Sequence, residues 1–217
     1  MRRALLGILL GSGAYGFALG SGHSELYALR NVVKLPLLIV VTATICSLSY
    51  WIAARAFRTQ LSFREVQAST WLLFRDLGIL LGGLAPAIFF VARVARARDD
   101  GQLGEYDVFL ALNMLCIAAS GTLALVKQVR ELLVGRDVTR TRATVLATTW
   151  LALSLFVGGQ AAFSMRPFFG FPATRGNVPP WFLGHEADLR GASNFYESVW
   201  QTIRQPPLPG WLRGTSY

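Results

Sequence analysis

LPLLIVVTATICSLSYWIAA, residues 35–54, is twenty residues long and carries no charge. As a helix rising about 1.5 Å per residue it covers a hydrocarbon core of about 30 Å. Three further runs match it: LGILLGGLAPAIFFVARVA at 77–95, broken by Arg93 near its end; DVFLALNMLCIAASGTLALV at 107–126; and ATVLATTWLALSLFVGGQAAFSM at 143–165. Together they predict four transmembrane helices in an all-α integral membrane protein. Composition points the same way. Of 217 residues 53% are hydrophobic and 15% charged, whereas a soluble domain needs about a quarter of its residues charged. Mean hydropathy is +0.43.

Working outward, the N-terminal MRRALLGILLGSGAYGFALG has a basic start and then an apolar stretch, as a signal peptide does. Against cleavage stand the interruption at Gly11, Ser12 and Gly13 and the two GxxxG spacings, Gly7–Gly11 and Gly16–Gly20. Such spacings suit close helix packing. The segment reads as a Gly-rich fifth span or a re-entrant hairpin. Gly82 and Gly83, just before Pro86, are further packing candidates and mark a potential break in their span.

The net charge of +9 is not a nucleic-acid signal, because the Lys and Arg residues cluster at the ends of apolar runs. With Met1 in the cytoplasm, ten basic residues fall on that side: Arg2, Arg3, Arg55, Arg58, Arg64, Lys127, Arg130, Arg136, Arg140 and Arg142. Five fall in the opposite loops: Arg30, Lys34, Arg93, Arg96 and Arg98. That bias sets the C-terminal tail outside the cytoplasm. The apolar spacing of Leu125, Val129, Leu132 and Leu133 extends the third run as a helix into the cytoplasm, stopped by Gly135.

The chain divides into a helical transmembrane domain, 1–165, and a tail, 166–217. The tail holds seven of the nine prolines together with Trp181, Trp200 and Trp211. It is too proline-rich to span and too aromatic for a linker. It starts at QAAFSMRPFFG, where Met165–Pro167 reads as a helix boundary. Arg166 and Phe168–Phe169 read as a membrane-exit anchor, with Arg166 reaching a phosphate or a tail carboxylate. SNFYESVWQTIR, 193–204, reads as a short amphipathic helix capped by Ser193 or Asn194. Phe195, Tyr196 and Trp200 would contact lipid or a partner subunit. The expected contact set is Arg166, Phe168, Phe169, Trp181, Phe195, Tyr196 and Trp200.

Chemistry is sparse. Cys46 and Cys116 lie in apolar runs without a CxxC partner or a nearby His, and read as small buried hydrophobes. Arg75 and Asp76 mark the interface or form an intramembrane ion pair. Asn113 and Gln160 are the deepest amides, and interhelical hydrogen bonding is their ordinary role. His23 and His185 have no carboxylate at metal-ligand spacing, and no hydrolase, Walker or dinucleotide motif occurs. No catalytic residue, cofactor or metal is therefore expected. A membrane enzyme using His185, Glu186 and Asp188 is the weakest option.

GSGAYGFALGS, LRNVVKLPLLIVVTATIC, GGLAPAIFF, QAAFSMRPFFG and SNFYESVW, in that order, resemble a family of uncharacterised bacterial inner-membrane proteins, loosely similar to the Yip1-type polytopic proteins. Some members carry an automatic actin-binding label. This chain departs from the family pattern at Ser164-Met165, where an aromatic-leucine pair is usual. The resemblance implies a polytopic helical fold and no activity. The actin label has no support in these residues, which show no amphipathic helix followed by a basic Leu-Lys-Lys motif.

The expectation is a non-catalytic accessory or scaffold subunit of a bacterial inner-membrane complex, with lipids and other membrane subunits as partners and no nucleic acid. The alternative is a small transporter, channel or lipid-handling protein using segment 7–20 and the Gly82-Gly83-Pro86 break.

Overall fold

The computed structural model describes residues 2–97, 103–136, 138–168, 181–182, 193–197 and 200. Five long helices follow one another: α1 (Arg2–Ser21), α2 (Glu25–Ala56), α3 (Phe63–Ala97), α4 (Leu103–Leu133) and α5 (Arg140–Ser164). Each is long and apolar enough to cross a membrane.

Local chemistry sets their ends. Ser24 accepts from the Tyr27 amide at 3.3 Å and caps α2. Ser62 and Glu65 form a capping box on α3: the Ser62 amide donates to Glu65 Oε2 at 2.8 Å, and the Glu65 amide donates to Ser62 Oγ at 3.3 Å. Thr139 caps α5 through the Arg142 amide. Gly135, at φ 75°, follows the end of α4 with the left-handed geometry glycine supplies. The end of α5 at Ser164 lies where the Pro167 signal sets it.

Residues 2–21 form one continuous helix, as the fifth-span reading expects and the re-entrant hairpin does not. Other sequence expectations change. Helices α2 and α3 start 10 and 14 residues before their apolar runs (25 against 35, 63 against 77), because the caps at Ser24 and Ser62 and not hydropathy mark their starts. Arg30 and Lys34 therefore belong to helix α2 and not to a loop. α3 continues through Pro86 without interruption.

α1 is the centre of the fold. It packs on α3 along one side and on α2 along the other, while α4 lies on α3 and α5 on α2. Ile8, Tyr15, Ala18 and Leu19 of α1 join Leu35, Ile39 and Tyr50 of α2 and Leu73, Leu77 and Leu81 of α3 in one apolar core. Many large apolar side chains face outward, among them Leu10, Leu29, Phe90, Leu115 and Phe156.

Glycine permits the central packing. A Cβ on Gly78 would stand 2.9 Å from the Gly7 carbonyl oxygen, and one on Gly82 would stand 2.8 Å from Gly11 Cα. A Cβ on Gly11 would overlap the Gly78 carbonyl. Two GxxxG pairs, Gly7–Gly11 and Gly78–Gly82, thus bring α1 and α3 into backbone contact. Gly16 and Gly20 do the same against α2, at Asn31 and at Tyr27–Ala28. Gly83 is a correction to the packing set: a Cβ there meets nothing within 4 Å. Gly13 has another neighbour. Pro36 has no N–H for the Val32 carbonyl one turn earlier, and that oxygen lies 3.4 Å from a Cβ built on Gly13.

α5 is held differently. Trp150 stacks on Tyr50 of α2 at a centroid distance of 4.4 Å and 6° between planes. The Trp150 indole N–H donates to the Tyr50 carbonyl at 3.2 Å. The Tyr50 hydroxyl pairs with Ser154 Oγ.

Candidate functional site

Two polar clusters organise the molecule. The first joins α2 to the start of the tail. Asn31 and Lys34, three residues apart on α2, share one helix face, and both are buried at 0% and 1% exposure. Asn31 Nδ2 donates to the Phe168 carbonyl at 2.6 Å, and Lys34 Nζ donates to the Pro167 carbonyl at 2.9 Å. Both carbonyls follow the helix end, where main-chain oxygens have no intrahelical partner. Phe168 is itself buried against the core. The Lys34 ammonium lies 5.7 Å from the Phe168 ring centre and 5.2 Å from that of Phe182. The Arg30 guanidinium lies 5.2 Å over Trp181. These are cation–π distances. Because the Asn31 backbone is what Gly16 packs against, one residue of α2 couples α1 to the tail.

Arg166 turns back onto α5, with Nε donating to the Phe163 carbonyl at 2.7 Å and the guanidinium 3.3 Å from the Phe163 ring centre. Further along, Tyr196 stacks on Phe156 at 5.3 Å, and its hydroxyl donates to the Leu155 carbonyl at 3.3 Å. The Phe195 ring lies within 2.7 Å of where a Cβ on Gly159 would stand. Asn194 caps this turn through the Glu197 amide at 3.0 Å. Phe195 and Tyr196 thus lie along α5 itself, five to nine residues before its end. Trp200 is exposed. Phe169, His185, Glu186, Asp188 and Trp211 lie outside the described residues, as does most of 193–204 beyond Glu197.

The second cluster lies between α3 and α4. Asp76 is buried, and four donors reach its carboxylate. Arg75 Nε and Nη2 reach Oδ1 at 2.8 and 2.6 Å, while Lys127 Nζ and Gln128 Nε2 reach Oδ2 at 2.7 and 3.1 Å. Glu65 of α3 pairs with Arg136, three residues past the end of α4. The deep amide Asn113 accepts from the Tyr15 hydroxyl at 2.7 Å and donates to the Phe109 carbonyl at 2.7 Å. It bonds α1 to α4 and does not meet Gln160, which is half-buried on α5.

The registers fix the spacing of the clusters. Gly78 faces Gly7 and Ile8, so Asp76 lies near Leu6 of α1. Asn31 faces Gly16, and Val32 and Pro36 face Gly13. Seven to ten residues of α1 (Leu6 to Gly13, Leu6 to Gly16) separate the levels, roughly 10–15 Å.

Sequence reasoning missed Gly78, Asn31, Lys34, Lys127 and Gln128. Gly78–Gly82 is a readable GxxxG spacing. Nothing local marks Asn31, whose partner is 137 residues away. Both cysteines are free. Among the described residues no group of three His, Cys, Asp or Glu side chains could hold a metal. Comparisons with protein-family models, curated proteins and solved structures found no match to this chain.

Proposed function

We propose that this chain is a multi-pass accessory or scaffold subunit of a bacterial inner-membrane complex, with its tail on the non-cytoplasmic side. Its rigid centre is α1, clasped between α2 and α3, and its working surface is the tail. The observation that carries this reading is the attachment of the tail: Asn31 and Lys34 hold the Pro167 and Phe168 carbonyls, and Phe195 and Tyr196 rest on α5. A segment fixed at two places presents a defined surface to a neighbour and loses little entropy when one binds. The likeness of the five sequence motifs to the Yip1-like inner-membrane family is part of the same proposal and adds no activity. Extraction of the native protein in mild detergent tests it. A stoichiometric assembly that dissociates when Phe195 and Tyr196 become alanine supports the reading; a monodisperse single chain sinks it.

A second reading, a small transporter or channel, is favoured by the buried polar groups Asp76, Gln128, Tyr15 and Asn113. Substituting Asn113 and Gln160 by leucine separates the two. A pathway loses flux while assembly survives, whereas a scaffold keeps its function with a small change in stability.

A further inference from the structure

We infer that residues 193–197 re-enter the bilayer beside α5. With the open face of that helix they form a docking surface inside the membrane, for a transmembrane helix of another subunit that carries a basic side chain opposite Glu197. The inference rests on the accessory-subunit reading proposed above and gives its contact a depth and a chemistry.

Two registers set the depth. The uncharged stretch of α5, 143–165, is centred on Ser154. Tyr50 of α2 stacks on Trp150, and a Cβ on Gly158 would stand 3.7 Å from Thr42. That antiparallel register sets Thr44 and Ile45, the middle of the uncharged run 35–54, opposite Leu155 and Phe156. Both helices thus put the centre of a hydrocarbon layer at the same level. Tyr196 stacks on Phe156 and donates to the Leu155 carbonyl, about 1.5–3 Å along the helix from that centre. Phe195 lies at Gly159, about 7.5 Å from it. The tail leaves α5 at the edge of the layer, where the Phe168 carbonyl meets Asn31, four residues before the run 35–54. By Ser193 the chain is back inside.

The groups on this turn define what covers it. Glu197 Oε2 accepts from the Ser193 amide and hydroxyl, both at 2.9 Å, and from Asn194 Nδ2 at 3.5 Å. All three donors are neutral and share one oxygen, and among the described residues no cation pairs with this carboxylate. Ser193 is exposed. Carboxylates at membrane depth face protein or water and take a partner, and irregular chain at that depth is not left against lipid. Water is the poorer cover here. Leu155, Phe156 and Tyr196 stand open on the same flank, at 55%, 59% and 38% exposure, and water would leave them wet. α5 is also the least buried of the five helices. An apolar helix with one Lys or Arg covers the rings and supplies the counter-charge.

The test has two arms. A nitroxide on Ser193→Cys, in a chain carrying Cys46→Ala and Cys116→Ala, reads the depth in phospholipid vesicles. The chain alone should show frequent collisions with dissolved oxygen and few with a water-soluble nickel chelate. In the native assembly both should be lost. Frequent collisions with the chelate overturn the inference, and so do oxygen collisions that persist in the assembly, because lipid then covers the turn. In the second arm Glu197→Gln keeps an acceptor for the turn. It should weaken the partner's apparent affinity roughly threefold to twentyfold, the range of interhelical polar contacts in membranes. Glu197→Lys should release the partner. Glu131→Gln, exposed near the end of α4, should leave it bound. A partner retained by Glu197→Lys overturns the inference. If Phe195→Ala and Tyr196→Ala release that same partner, the subunit reading stands and only the intramembrane surface fails. A chain without any partner overturns both.

Discussion

Asn31, at the level where α2 crosses Gly16, donates its side-chain amide to the main-chain carbonyl of Phe168 at 2.6 Å. This contact bridges 137 positions of sequence and converts a helix exit into a docked segment. Replacing Asn31 by leucine leaves the Phe168 carbonyl buried without a donor. The expected cost is about 1–3 kcal/mol. Limited proteolysis should then cut within the tail faster than in the wild type, and an unchanged cleavage rate would show that the tail is held elsewhere.

The glycine interface gives a graded series. Gly11→Leu and Gly78→Leu force α1 and α3 apart, because even a Cβ meets the opposing backbone. Overpacking of this kind costs about 1–3 kcal/mol or more. Gly83→Ala and Gly121→Ala meet nothing within 4 Å and should stabilise the helix by up to about 1 kcal/mol. Thermal unfolding in detergent reads both, and equal losses at Gly78 and Gly83 would contradict the register.

At the charged level, Asp76→Asn keeps the shape but strands Arg75 and Lys127. Breaking a buried pair costs about 3–5 kcal/mol, and the partly exposed partners, at 30% and 53% side-chain exposure, reduce that figure through solvent screening. Lys127→Ala removes one donor of four and should cost less. Glu65→Gln, at the exposed pair with Arg136, should change stability least, because solvent screens both charges. Denaturant midpoints should therefore fall in the order Asp76, Lys127, Glu65.

Tyr15→Phe and Asn113→Leu each remove the hydrogen bond between α1 and α4. Interhelical hydrogen bonds of this type contribute about 0.6–2 kcal/mol. The double variant should lose less than the sum of the two single losses, because both remove the same bond. Full additivity would show that the two side chains do not interact.

The sequence made the helix content legible because uncharged runs such as 35–54 announce themselves by length. It also made the close packing at Gly7, Gly11, Gly16 and Gly20 legible, because spacing is a local property. It did not reveal which helix each glycine meets. That depends on α1 lying between α2 and α3, a choice made by shape across the whole bundle. Lys34 was misread for a related reason. A lysine beside an apolar run reads as a loop charge, and only the cap at Ser24 carries the helix back past it. The tail clamp was illegible because its acceptors are main-chain carbonyls, and every residue has one. The contact of Arg166 with the Phe163 carbonyl and ring was illegible for the same reason, because no spacing marks a guanidinium that turns back onto its own helix end.

The central claim is that the tail is the surface through which this chain joins a larger assembly. Native mass spectrometry of the endogenous protein, released in mild detergent, tests it most directly. The account predicts a species heavier than the 23.8 kDa chain by a stoichiometric partner, lost when Phe195 and Tyr196 are replaced by alanine and retained when Gly83 is. A single 23.8 kDa species, unchanged by those tail substitutions, would contradict it.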